Sequence, residues 1–264
     1  MNRFLSALLS VAVLLTQIPA AYADNKETTI KHVISCVNVI QDTSAEAVDN
    51  SDDYYYFEYD EYGRLLKADS KAYSYYERYY NPQFIYYVSI PGVDLYEYDE
   101  NGNVSKVTRM NYDSEEAVVR FTVDYEYDGD RLDNETYTNG DKVVVARYIY
   151  DEDGNLERVE RDEGTGNENY VKIGYHDSNG LVSSLRSKKF INNVYMDFSS
   201  TIGYNSDESI SYINVASNYM MMEDAHIVFR YEDNGDIRDV KFSQGYFEIY
   251  YIITYEYEDI EVLL

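Results

Sequence analysis

The chain is poor in the residues that carry most recognisable protein chemistry. Its 264 residues include one cysteine, no tryptophan, three histidines and three prolines. A single cysteine excludes an intrachain disulfide. His32, His176 and His226 stand far apart in the sequence, without zinc-ligand spacing. No GxSxG, HExxH or phosphate-loop pattern occurs. The expectation is therefore a non-enzymatic protein with no catalytic residue, no cofactor and no metal ligand. Basic residues are scarce too: 22 Lys and Arg stand against 49 Asp and Glu, for a net charge of −27. A phosphate backbone needs a basic footprint, so nucleic acid is excluded as a partner. Beyond the N-terminus no apolar run is long enough for a transmembrane helix.

The first residues differ from the rest. A short positive start (Met1-Asn2-Arg3) precedes the apolar stretch Phe4 to Leu15, and Ala21-Tyr22-Ala23 fits an A-x-A cleavage site. Residues 1–23 read as a secretory signal peptide, which places the mature chain in the periplasm or outside the cell. Residues 24–53 read as an N-terminal strand (Ile30 to Ile40) followed by an exposed acidic loop (Asp42 to Asp53). Val33-Ile34-Ser35-Cys36 looks like a lipoprotein box, but the polar string DNKETTIKH separates it from the apolar core. Lipid anchoring is not expected, and Cys36 reads as a small apolar residue of the first strand.

What the chain has in excess is tyrosine, at 33 residues. Many of these belong to a repeat, Tyr-x-Tyr-Asp-x-x-Gly. It reads FEYDEYGRLLK (57–67), YEYDENGNVSKV (96–107), YEYDGDRLDN (125–134) and YIYDEDGNLERV (148–159). Weaker copies are IGYHDSNGLVSSL (173–185), IGYNSDESISYI (202–213) and FRYEDNGDIRDV (229–240), and TYEYEDIEV (254–262) closes the series without a turn glycine. The anchoring residues are Tyr59, Tyr98, Tyr127, Tyr150, Tyr175, Tyr204 and Tyr231. Their spacing of 23 to 39 residues makes one unit a hairpin. Alternation is clearest where Val119, Phe121, Val123, Tyr125 and Tyr127 share one face and Arg120, Thr122, Asp124 and Glu126 the other. The Asp after Tyr59, Tyr98, Tyr127 and Tyr150 is placed to accept turn amides, and Gly63, Gly102, Gly129, Gly154, Gly180 and Gly235 supply the positive φ of a tight turn. Turn signals also mark the opposite strand ends, at Asn111 to Glu116, Asn139-Gly140, Glu163 to Glu168, Asn192-Asn193 and Gln244-Gly245.

Turns at both ends imply an all-β, up-and-down antiparallel meander of about 14–16 strands over residues 54–264 plus the N-terminal strand. An open sheet of that width exposes long edges, so a barrel-like or strongly curved sheet is expected. The Tyr-Asp-x-x-Gly-x-Leu/Val unit resembles the YD repeats of Rhs-type secreted shells. It is also similar to bacterial secreted domains of unknown function with a porin-like β fold. The resemblance covers about residues 54–262. It implies a curled hairpin sheet and assigns no chemistry.

Two roles for the tyrosines follow. The seven anchors are expected to form an interior ladder, each ring buried while its hydroxyl reaches a polar partner. The cluster Tyr73, Tyr75, Tyr76, Tyr79, Tyr80, Tyr86 and Tyr87 breaks the repeat and is the candidate exposed binding patch. Asp151-x-Asp153-Gly154-Asn155 resembles the start of a calcium loop, but its glycine falls at the fourth position instead of the sixth, as a turn requires. The function expected is a secreted binding or structural module with a glycan or protein partner at the cell envelope. Two alternatives stay open. One is a carrier of a glycan or apolar molecule in a tyrosine-lined cavity. The other is an outer-membrane barrel, against which the face opposite the tyrosines sets Glu97, Arg120, Asp124, Glu126, Arg147, Arg230 and Glu232.

Overall fold

In the computed structural model the residues described are 28–43, 52–72, 92–111, 118–162, 164, 166, 169–176, 180–191, 194–217 and 224–263. They form sixteen strands: β1 (Thr28–Thr43), β2 (Asp52–Tyr59), β3 (Leu65–Ala72), β4 (Gly92–Tyr98), β5 (Val104–Asn111), β6 (Val118–Asp128), β7 (Arg131–Asn139), β8 (Lys142–Tyr150), β9 (Leu156–Asp162), β10 (Asn169–Tyr175), β11 (Val182–Ile191), β12 (Val194–Tyr204), β13 (Ile210–Ser217), β14 (Ala225–Tyr231), β15 (Ile237–Gln244) and β16 (Phe247–Leu263). The hydrogen-bonded order is β1-β16-β15 and so on down to β2, which returns to β1 as a closed antiparallel barrel. The all-β meander expected from the repeat is thus present. Among the described residues no helix is long and apolar enough to cross a membrane, which says nothing of crossing by strands.

The described residues group into two compact units. Of the described residues, one draws on those within 28–40, 52–120 and 254–263, the other on 41–43 and those within 121–253. In the first, β1 to β5 pair in sequence order from Cys36↔Tyr56 through Gly92↔Asn111. In the second, β6 to β16 do the same from Thr122↔Thr138 through Gln244↔Phe247.

Every repeat hairpin carries the same irregularity. Opposite the anchor, the outgoing strand holds one extra residue: Leu66, Ser105, Asp133, Glu157, Ser183, Ser211 or Arg238. Such a bulge sets two residues against one and steps the side-chain alternation of the outgoing strand. Leu65 and Ala68 therefore share the tyrosine face with Tyr59 and Phe57, and Ile237 and Val240 share it with Tyr231 and Phe229. The buried residues concentrate on this face: Val123, Val144, Ala146, Ile213, Ile227, Phe229, Val240, Ile249, Tyr251 and Ile253 in the second unit. Burying a side chain of this kind contributes roughly 1.5–3 kcal/mol. Val119 departs from the expected pattern, being 56% exposed. It precedes the β6–β7 ladder, which begins at Thr122, so no β7 residue stands opposite it.

The turns follow the expected chemistry. Asp60 Oδ1 accepts the amides of Tyr62 and Arg64, Asp99 Oδ1 those of Asn101 and Asn103, and Asp151 Oδ1 that of Asn155. All six turn glycines have positive φ. At the other end, Gly140 and Gly245 open two-residue turns with φ of 56°. Glu208 occupies the glycine position of the sixth unit with φ of 68°. A left-handed non-glycine residue costs roughly 1–2 kcal/mol, part of which glycine returns through its freer unfolded chain. Glu208→Gly is expected to raise stability by about 0.5–1 kcal/mol, read as a higher urea midpoint.

Candidate functional site

The anchoring tyrosines have a specific job. Tyr59 donates its hydroxyl to the carbonyl of Ile34 at 2.7 Å, and Tyr98 to Leu65 at 2.8 Å. Tyr150 donates to Leu132, Tyr175 to Leu156, Tyr204 to Val182 and Tyr231 to Ile210, all at 2.7–2.9 Å. Each acceptor carbonyl lies just past the last ladder pair between neighbouring hairpins: β8 leaves β7 at Arg147↔Asn134, and Tyr150 then reaches Leu132. The phenol thus clamps one hairpin to the next where the main-chain ladder has ended. Tyr127 stands at the equivalent place in β6, opposite Leu132 and the same bulge. The rings are half-buried rather than fully enclosed. Burial, the largest cause, pushes the phenols of Tyr150, Tyr175, Tyr204 and Tyr231 above their ordinary value. Burial and the nearby Glu258 push Tyr59 up to about 12.

The tyrosine face also holds charges, of which Arg109, Glu135 and Arg161 lie beyond a bulge and so off the face that simple alternation gives them. In the first unit, Asp94 and Arg109 are directly opposite on β4 and β5, with Arg109 Nη1 donating to Asp94 Oδ2 at 2.8 Å. Their side chains are 26% and 18% exposed. Burial raises the Asp94 carboxyl above the usual carboxylate range, and Arg109 only partly offsets that. Gly92 makes the arrangement possible, because a Cβ there would meet Arg109 Nε at 2.9 Å and collide with the Met110 carbonyl. Asn111, opposite Gly92, is 2% exposed and its side-chain amide has no hydrogen-bond partner. In the second unit, a row runs Tyr125–Glu135–Ala146–Arg161–Asn169 across β6 to β10. Tyr148 donates its hydroxyl to Glu135 Oε2 at 2.9 Å, while Arg161 Nη2 lies 3.7 Å from Glu135 Oε1. Burial and Glu135 push the Tyr148 phenol far up. The small Ala146 leaves room for Arg161 to span the row.

The remaining sequence candidates fall as follows. Tyr73, Tyr75, Tyr76, Tyr79, Tyr80, Tyr86 and Tyr87 lie outside the described residues, as do the signal segment and most of the acidic loop. Cys36 is buried within β1 opposite Tyr56, and burial pushes its thiol up. His32 pairs with Asp259 at 2.8 Å and stacks on Tyr257, both exposed. His176 packs edge-on to Tyr204, and His226 Nδ1 meets Asn214 Oδ1. Among the described residues no group of three or more His, Cys, Asp or Glu is placed to hold a metal ion. Asp151 is occupied by the turn, where the Asn155 amide holds its carboxyl below the usual range.

No family model matches the chain. No curated protein matches it either. Among solved structures, a porin-like protein from Bacteroides uniformis aligns over 84% of this chain and 96% of its own at 10% identity, with a TM-score of 0.51. A porin-like protein from Bacteroides vulgatus aligns over 62% and 94% at 11% identity, with a TM-score of 0.39. A TcdB2–TccC3–Cdc42 assembly aligns over 82% of this chain but 15% of its own, at 12% identity and a TM-score of 0.29. At these identities the likeness is one of fold, and only the first reaches a score that carries it. The described residues have a porin-like β fold of sixteen strands.

Proposed function

We propose that the chain is a secreted, non-enzymatic β-barrel module of the cell envelope that acts by binding a partner or as a structural element. The observation that carries this reading is the face opposite the anchoring tyrosines. It is laced with cross-strand ion pairs: Glu58 with Lys67, Arg230 with Asp239 and Lys241 with Glu248, each at 2.6 Å. Such a face is built for water. Facing lipid, each Arg or Lys near the bilayer midplane would cost roughly 2–4 kcal/mol. The non-catalytic part rests on the anchors Tyr59, Tyr98, Tyr150, Tyr175, Tyr204 and Tyr231, whose hydroxyls are committed to main-chain carbonyls and so are not poised for proton transfer. The repeat is read as YD-like and the N-terminal segment as its export signal.

The closed strand order favours a second reading, an outer-membrane barrel. Fractionation of cells expressing the full chain separates the two. The expected result is recovery in the soluble envelope or extracellular fraction as a monodisperse species without detergent. Recovery only from membranes, with aggregation when detergent is removed, would sink the proposal in favour of the membrane barrel.

A further inference from the structure

We infer that β12, β13 and β14 present a carbohydrate-binding surface built on Tyr212, Asn214 and His226. The inference rests on the reading of the chain as a binding module and gives that module a surface and a ligand class.

Three observations meet there. First, Tyr212 stands opposite Gly203 on the face away from the anchors, and its ring takes the place a side chain would occupy: a Cβ on Gly203 would collide with its Cε1 and Cζ. A glycine under an aromatic ring seats that ring against backbone and leaves the other side outward. Tyr212 is 39% exposed. Second, the adjacent row reads Thr201–Asn214–His226–Ser243 across four strands. Asn214 links its neighbours, contacting Thr201 Oγ1 at 3.5 Å through Nδ2 and His226 Nδ1 through Oδ1. Elsewhere this face is studded with ion pairs, whereas this row is made of two hydroxyls, an amide and an imidazole, which offer hydrogen-bond donors and acceptors. Third, Thr201, Asn214 and His226 of the row line a cleft of about 230 Å³, whose other walls are Ser199, Asp224 and the small apolar Val215, Ala216 and Ala225. The His226 ring lies 5.9 Å from that of Tyr212, so platform and row are contiguous.

A pyranose ring matches this arrangement. Its C–H face carries partial positive charge and packs on the negative face of an aromatic ring. Its equatorial hydroxyls each donate and accept, as the row does, and Asp224 adds an acceptor at the cleft edge. An apolar ligand would strand the polar row, and a phosphate would face the Asp224 carboxyl at the cleft edge.

The test uses the full chain with three probes: maltohexaose, cellohexaose and chitohexaose. The readout is the imidazole resonances of the three histidines, which report separate places in the chain. At least one probe is expected to move the His226 signals with a dissociation constant in the ~mM range, leaving His32 and His176 in place. Tyr212→Ala should weaken that binding about tenfold or more, while Tyr212→Phe keeps it within about twofold. Gly203→Val, which displaces the ring but keeps the tyrosine, should also weaken it. No response to any probe overturns the inference. Binding that leaves His226 unmoved, or that survives Tyr212→Ala, also overturns it while leaving the binding-module reading intact. Hydrolysis of a probe would overturn the non-enzymatic reading instead.

Discussion

A chain in which Tyr98, Tyr150, Tyr175, Tyr204 and Tyr231 are all replaced by phenylalanine is expected to lose about 5 kcal/mol of stability, roughly 1 kcal/mol for each hydrogen bond removed. Domains of this kind have only about 5–15 kcal/mol in total, so the variant should sit at or past the edge of unfolding. The ring and its packing survive each substitution. What is lost is the donor to a carbonyl that lies past the end of the inter-hairpin ladder. Urea titration followed by far-ultraviolet circular dichroism reads the effect. Tyr246→Phe is the control, because Tyr246 is fully exposed and should change stability by less than about 0.5 kcal/mol. If the fivefold variant were no weaker than this control, the clamping role of the phenols would be wrong.

Arg109→Ala is expected to cost about 3 kcal/mol, the largest effect of any single change considered. It removes the guanidinium that partly offsets the burial of the Asp94 carboxyl. The pair itself is not strongly stabilising, since the Asp94 carboxyl stays above its usual range even with Arg109 in contact. The double variant Asp94→Leu/Arg109→Leu should therefore lie within about 1–2 kcal/mol of the parent, well above Arg109→Ala. Thermal or urea unfolding of the two variants and the parent makes the comparison. A double variant as weak as Arg109→Ala would show that the pair is a net source of stability.

The sequence carried the hairpins because their chemistry is local. The Asp that caps the turn, the glycine that takes positive φ and the strand that alternates before them lie within a few residues of one another. It did not carry the faces of the outgoing strands. The bulge after each turn steps the alternation, so the face-sharing pairs Leu65/Ala68, Val104/Val107, Leu156/Val159, Val182/Leu185, Ile210/Ile213 and Ile237/Val240 are three residues apart. Read at period two, such spacing misplaces everything downstream, including Arg109, Glu135 and Arg161. A recurring apolar pair at i and i+3 directly after a turn glycine was the available signal. Partners of the anchoring hydroxyls were illegible for a different reason. They are main-chain carbonyls 18 to 33 residues earlier, which no side-chain pattern records. Tyr212 and Gly203 were likewise invisible as a pair until β12 and β13 fixed their register.

Alkaline titration of the phenols, with sheet content followed in parallel, tests the central claim most directly. A phenol whose folded pKa is raised contributes its stability in full below the unfolded value of 10.0 and loses it as pH climbs through the folded value, about 12 for Tyr59. For Tyr59 that contribution is about 1–2 kcal/mol once solvent screening is allowed for. The prediction is a two-phase ionisation. The anchors ionise above the ordinary phenol value together with a cooperative loss of β signal, in a phase distinct from any ionisation that leaves the sheet intact. Ionisation of all the tyrosines in one phase near pH 10.0, with the sheet signal unchanged, would contradict the account.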